Sequence, residues 1–564
     1  MAKYLSNLKT VEIKHCDGIE EVISSRDKKS ENEENTTFFP HLDTLELTDL
    51  PSLKHNINDE SQSGQVIDDS WLFYQYPKKI TIRSCDALSS LIPSYAVGQM
   101  KRLQELEVWD CRTMTEIFEC ESSTNNNFDE GSAHGVGATL TSPTPKTTIP
   151  TLVVVPQLFN LKVLSIIGCN HLSHVFSFST LESLKQLKEL RVTSCKAIHV
   201  IVKEENETSP KDVVFPRLER LVLYNLPNLK CFFLGVNDFK WPALDDVMIE
   251  DCPQLMMFTS GHSKTPKLKY ISTGLGKHDL EESCGLNFHG TINEYDQTTF
   301  PETSSSSDPT ISKGVLPCSF HNLIEIDIKD WFSRRTHAIP SHALLQLQKL
   351  EKIHLGIFYM GEEVFEVVAL LEGINNSSGF NESQTPIVKV PNLRQVNLRR
   401  VNLLKYLWKS NQWMVLEFPN LTTVNIWGCE KLEHVFTCSM VGSLVQLQHL
   451  SISFCENIEV IVKEEDKKEC DGKVNENIIM LPRLKSLTLN NLSSLKGFCL
   501  GKEAFSLSAL DTLEIERCPA ITCFTKGYLS TPELKVIDTR LGKYYAKPDL
   551  NSFIKNKQEE EYEF

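Results

Sequence analysis

The residues best suited to chemistry in this chain stand close together in FPNLTTVNIWGCEKLEHVF, 418–436, which holds Cys429 and His434 and is followed by Cys438. A second group, CNHLSH over 169–174, offers Cys169, His171 and His174. Thiolate and imidazole are ligands of tetrahedral zinc, but a closed zinc site takes four donors at suitable separations. Neither group supplies four, and both fall inside a wider repeating pattern that accounts for Cys169 and Cys429 as scaffold, so no metal is expected. The Gly-Lys pairs at 276–277, 472–473, 501–502 and 542–543 lack the upstream glycine and the following Ser or Thr of a phosphate-cradling loop. No G-x-S-x-G nucleophile turn is present, and the 16 histidines are scattered without a recognisable acidic cluster. The chain is expected to be no enzyme, with no catalytic residue and no cofactor.

The bulk numbers exclude further classes. A formal net charge of −16 over 564 residues argues against a broad nucleic-acid or anionic-membrane surface, which needs clustered Lys and Arg. No stretch offers the roughly 20 uninterrupted apolar residues of a membrane span. The most apolar candidate, 152–167, is broken by Pro156, Asn160 and Lys162. The start, MAKYLSNLKTVEIKHCDG, lacks a secretory apolar run, so the 17 cysteines are expected to be reduced in the cytoplasm.

The opening segment has copies. FNLKVLSIIGCNHLSHVF, 159–176, repeats it with Ile167 for Trp427, Cys169 for Cys429 and His174 for His434. The shared frame, L-x-x-L/V-x-I-x-x-C-x-x-L-x-x-V-F, recurs in looser form from LKTVEIKHCDGIEEVI (8–23) to LDTLEIERCPAITCF (510–524), about fifteen units in all. The clearest spacings, about 26–28 residues, fall in the leucine-rich-repeat range. A larger duplication is also visible: FPRLERLVLYNLPNLKCFFLG (215–235) matches LPRLKSLTLNNLSSLKGFCLG (481–501), and TPKLKYISTGLGK (265–277) matches TPELKVIDTRLGK (531–543).

The central L-x-I alternates with period two, which predicts a short strand with its apolar pair turned inward. One such strand cannot bury its own apolar face, but strands stacked in parallel from unit to unit close a continuous core. The fold expected is an α/β solenoid, a leucine-rich-repeat horseshoe with a parallel concave sheet and short helical or irregular convex segments. Cys16, Cys85, Cys111, Cys169, Cys195, Cys252, Cys429, Cys455 and Cys518 share one point of the frame. Such repeats place a small inward side chain there, so these thiols are expected to be buried and inert. The remaining strand positions face the partner side: Glu107, Trp109, Asp110, Arg191, Tyr224, Met248, Glu250, Lys329, Arg399, Arg400, Asn425, Trp427, Ser453 and Phe454. Trp, Tyr, Met and Arg are enriched at protein interfaces, which makes this face the expected contact surface.

Polar inserts at 24–37, 119–147, 203–214, 373–386 and 463–477 are expected to be loops, and 298–314 a linker. The organisation expected is a first array over 1–277, a linker or insert over 278–316, a second array over 317–543 and an acidic C-terminal tail over 544–564.

The segments FPNLTTVNIWGCEKLEHVFTCSMVGSLVQLQHLSISFCENIEVIVKEE (418–465) and FNLKVLSIIGCNHLSHVFSFSTLESLKQLKELRVTSCKAIHVIVKEE (159–205) combine the C-x-x-L-x-x-V-F unit, a short helical S-L-x-Q-L segment and an acidic insert. In this the chain resembles the repeat region of plant nucleotide-binding, leucine-rich-repeat disease-resistance proteins of the coiled-coil class, the lettuce downy-mildew resistance group included. The resemblance implies non-catalytic sensing of a pathogen effector or an altered host protein, and control of a nucleotide-binding domain in cis or in trans. Such a switch domain is not recognisable in this chain. A substrate adaptor for ubiquitin ligation is the alternative that the same repeats allow.

Overall fold

The computed structural model describes residues 7–20, 22, 41–54, 76–92, 100–118, 158–205, 212–255, 257–280, 286, 320–328, 341–356, 364, 387–408, 415–464, 478–540, 542–545 and 549–559. It divides into two compact units, one of residues 1–269 and 280–317, the other of 270–279 and 318–564. The inserts at 24–37, 119–147 and 373–386, the linker at 298–314, and Lys329 lie outside the described residues.

In the first unit the L-x-I alternation becomes a parallel ladder of five-residue strands. Thr10–Lys14, Thr44–Thr48, Lys79–Arg83, Glu105–Trp109, Val163–Ile167, Glu189–Thr193, Arg220–Tyr224 and Asp246–Glu250 pair in that order. The second unit repeats the arrangement with Leu323–Ile328, Lys352–Gly356, Gln395–Arg399, Thr423–Trp427, His449–Ser453, Ser486–Asn490, Thr512–Glu516 and Val536–Thr539. Within each unit the register is exact from repeat to repeat, so like positions stack. Leu106, Leu164, Leu190 and Leu221 form one buried row and Val108, Ile166, Val192 and Leu223 the next. These are leucine-rich-repeat solenoids.

Most of the described ladder strands end in the same device. The residue after the strand is left-handed, with φ of 53° at Asp110, 72° at Gly168, 55° at Arg400 and 59° at Phe454. That turn lets its N–H extend the ladder by one bond, as from Asp110 to the Ile167 carbonyl (2.7 Å) and from Arg400 to that of Trp427 (2.8 Å). It also aims the following frame residue inward. All nine frame cysteines donate S–H to the carbonyl two residues back, at 3.3–3.9 Å. Eight are buried, and Cys16, in the first repeat, is half-buried.

Burial disfavours the thiolate, pushing Cys85 and Cys518 up to about 11 and Cys252 up to about 12. Iodoacetamide should therefore modify the half-buried Cys16 and Cys523 in the native protein while leaving Cys252 intact, as read by peptide mass spectrometry. Labelling of Cys252 at the same rate would mean that its repeat is open.

The return side carries little helix. Short parallel strands cross it, such as Phe176–Ser177, Val200–Lys203 and Cys231–Phe233 in the first unit. Two of the helical turns, Phe178–Ser183 and Cys438–Val441, lead into the S-L-x-Q-L segments expected to be helical, which close in turns by Leu187 N–H to the Leu184 carbonyl and Leu447 N–H to that of Leu444. The stretch expected as a tail contains a helix, Leu550–Glu559. Asp549 caps it, accepting the Ser552 N–H at 2.9 Å, and Leu550, Phe553 and Ile554 are buried at helical spacing. Asn551 binds the backbone of Phe524 and Thr525, which docks the helix on the last return segments.

Candidate recognition surface on the strand faces

Exact register sets what the open face of each ladder displays. In the second unit Asn397 neighbours Asn425, and Arg399 neighbours Trp427, which in turn neighbours Ser453. Arg399 and Arg400 both lie against the Trp427 ring, with guanidinium carbons 5.3 and 4.9 Å from its centroid. The Phe454 ring stands on its other flank at 5.5 Å. Beside them runs a polar row, in which the Asn425 amide donates to Asn397 Oδ1 at 2.9 Å and the Asn397 amide donates to His354 Nδ1 at 3.0 Å. The result is an aromatic centre with two cations and a hydrogen-bonding margin. Phe454, Arg399 and Arg400 are exposed and Trp427 is half-buried.

Arg400, Phe454 and Asp110, expected as outward strand positions, belong instead to the left-handed turn after the strand. The difference carries information. Elsewhere this turn is mostly built from Asp, Ser, Asn or Gly, as at Asp49, Ser84, Asn225 and Gly428, residues suited to positive φ or short enough to tolerate it. A bulky side chain costs about 1 kcal/mol or more in this conformation. Arg400 and Phe454 take that cost beside the same tryptophan; Arg517 and His15 are further large residues at this position. Both strained side chains lie against the half-buried Trp427 ring. Phe454→Asn should therefore raise the unfolding free energy by about 1 kcal/mol, measured by denaturant titration. A destabilised variant would show that the ring is there for packing.

The first unit gathers Glu107, Trp109 and Asp110 with two residues not singled out in the sequence, Lys79 and Arg83. The Arg83 guanidinium covers the Trp109 ring at 4.5 Å. Lys79 binds Glu107 at 2.8 Å and Glu105 at 3.2 Å, and the Glu107 carboxylate holds the lysine above its usual range. These charges compensate one another, and the Trp109 indole N–H is buried without a partner. Tyr224, Met248, Glu250 and Arg191 occupy the same face further along, Arg191 paired with Glu189 at 2.9 Å. Tyr224 stands three strands from Trp109, roughly 14 Å away. Arg83 and Asn397 are legible from the repeat, because they hold the frame positions of Trp109 and Asn425.

Neither cysteine-histidine group of the sequence forms a ligand cluster among the described residues. Cys169 and Cys429 lie in the core, His174 and His434 are buried on the return side, and Cys438 meets other partners. Among the described residues no helix is long and apolar enough to cross a membrane.

Parallel in-register ladders, a left-handed turn and an inward cysteine define a leucine-rich-repeat protein. The family model described as plant disease resistance protein RPS2-like, leucine-rich repeats, matches residues 1–68, 65–142, 137–271 and 303–456, and the chain belongs to that family. It is 24% identical over 165 residues to the "Probable disease resistance protein At1g61310" of Arabidopsis thaliana, a match covering 29% of this chain and 17% of that protein. The chain thus spans under a fifth of that relative. Among solved structures, the plant peptide hormone receptor RGFR1 in complex with RGF2 aligns over 93% of this chain and 94% of that one at 11% identity, with a TM-score of 0.15, too low to support any inference.

Proposed function

We propose that this chain is a non-catalytic recognition module of plant immunity, acting in the cytoplasm and gripping a pathogen effector or a modified host protein through its strand faces. In this reading the signal passes to a nucleotide-binding domain supplied in cis or in trans. The observation that carries it is the cluster of Trp427, Arg399, Arg400 and Phe454, where two bulky residues sit in a costly backbone conformation beside an aromatic centre. Trp and Arg are the side chains most enriched among interface residues that dominate binding energy. The charge-compensated Trp109 group offers a second, weaker anchor.

Trp427→Ala should weaken binding of a cognate effector or host protein about 30-fold, roughly 2 kcal/mol, in a calorimetric titration. Thermal unfolding should shift little, because the ring lies outside the buried rows. Unchanged affinity for a partner that binds the wild-type chain would remove this face from the function.

A further inference from the structure

The return side of the second unit holds a cluster that partner binding leaves unused. Cys438 Sγ, Cys499 Sγ and a carboxylate oxygen of Glu503 lie within 4.8 Å of one another. A three-stranded parallel sheet, Phe436–Thr437, Val460–Lys463 and Gly497–Cys499, brings them there. Cys438 opens the helical turn after the first strand, Glu464 follows the second, Cys499 ends the third, and Glu503 lies in the next loop. Gly501 lets the carboxylates approach: a Cβ there would collide with Glu503 Oε2 and stand 3.1 Å from Glu464 Oε2. Glu503 Oε2 is itself buried with no hydrogen-bond partner, a costly state for a carboxylate oxygen.

The first unit provides an internal comparison. Its sheet of Phe176–Ser177, Val200–Lys203 and Cys231–Phe233 has the same topology, with Val202 paired to Phe233 as Val462 is to Cys499. There FSFSTLESLKQL stands for FTCSMVGSLVQL and FFLGVNDF for FCLGKEAF. Phe178 and Phe233 occupy the positions of Cys438 and Cys499, stacked with centroids 5.1 Å apart, and Asn237 occupies that of Glu503. One unit thus fills this space with two rings. The other sets two thiols and a carboxylate there, exchanging an apolar plug for side chains able to bind an ion.

We infer that Cys438, Cys499 and Glu503, with Glu464 as the fourth donor, form a structural zinc site that replaces the aromatic plug of the first unit. Two thiolates with carboxylate oxygens are a donor set suited to zinc and poorly suited to magnesium or calcium. Tetrahedral bonds of about 2.0–2.3 Å place donors roughly 3.3–3.8 Å apart, so these three donors lie within about an ångström of closure, and the exposed Glu464, outside that group, must turn in to complete the set. Each thiol releases its proton to solvent as the ion binds.

The test uses the full chain, reduced and stripped of metal, dialysed against zinc and assayed by mass spectrometry for metal content. One tightly held zinc per chain is expected, and cobalt in its place should show a thiolate-to-metal charge-transfer band. Cys438→Phe with Cys499→Phe installs the plug of the first unit and should abolish both signals in a chain that remains folded by circular dichroism. Glu503→Gln keeps the shape and should lower zinc affinity at least tenfold, which decides the matter if the double variant does not fold. Cys16→Ser with Cys523→Ser, which removes two half-buried thiols outside the cluster, should leave the stoichiometry at one. No zinc uptake by the reduced wild-type chain would overturn the proposal. So would uptake that survives both the plug and the Glu503→Gln substitution.

Discussion

Leu164→Asp should cost on the order of 5 kcal/mol and open the repeats on either side of it, while leaving the second unit protected. Leu164 has no solvent exposure and lies in register between Leu106 and Leu190. The substitution removes roughly 2–3 kcal/mol of apolar burial and sets a charge in a row of leucines that offers it no partner. In a solenoid each repeat touches only its neighbours, so the damage should spread by one or two strands and then fade. The same change at Ile13, half-buried in the first described strand with Leu47 as its register partner, should cost less than half as much. Hydrogen exchange read by mass spectrometry distinguishes the cases. Protection should fall in peptides spanning 103–118 and 158–195 and persist at 484–515. One concerted transition of the whole chain, or equal costs at both positions, would contradict a core built from neighbour contacts.

Acidification should remove about 3 kcal/mol of stability for each of His174 and His434 between pH 7 and pH 4. Both are buried at equivalent points of the two units, at 7% and 6% exposure. Burial disfavours the imidazolium and lowers each from 6.5 to about 4, helped at His174 by Lys203 and His199 and at His434 by Lys463. Their folded values lie below the unfolded one, so between about 6.5 and 4 the unfolded chain binds protons that the folded chain refuses. Their contribution is whole above pH 6.5 and is lost as the pH falls through 4. His434 Nδ1 has no hydrogen-bond partner, and its ring lies beside Tyr406 at 5.5 Å, so an apolar ring should be accommodated. His434→Phe should flatten the acid limb of the second unit in denaturant titrations at stepped pH. An unchanged limb would assign the acid loss to other groups.

Much of this was legible in the sequence. The period-two alternation, repeated at leucine-rich-repeat spacing, determined strands, parallel stacking and the buried cysteine rows, because one inward pair per strand has a single economical way to leave water. The outward placing of Asn425 was legible too, since it stands between inward Val424 and Ile426, whereas Arg400 and Phe454 read as strand positions and lie in the turn after the strand. The terminal helix was missed because the acidic run KNKQEEEYEF outweighed DLNSFI, where Asp549 caps and Leu550, Phe553 and Ile554 share one side.

What sequence spacing could not determine was which side chains from different repeats meet. Cys438 looked like a companion of Cys429 and His434, its neighbours in the chain. The fold sends Cys429 into the strand core and sets Cys438 beside Cys499, two return strands further on. It likewise places Arg83 on Trp109, and Arg400 with Phe454 on either side of Trp427. The sequence by itself determines the repeat, because hydrophobic period and turn chemistry act within one unit. Only the tertiary structure decides the sites, because register and insert length set which unit lies beside which.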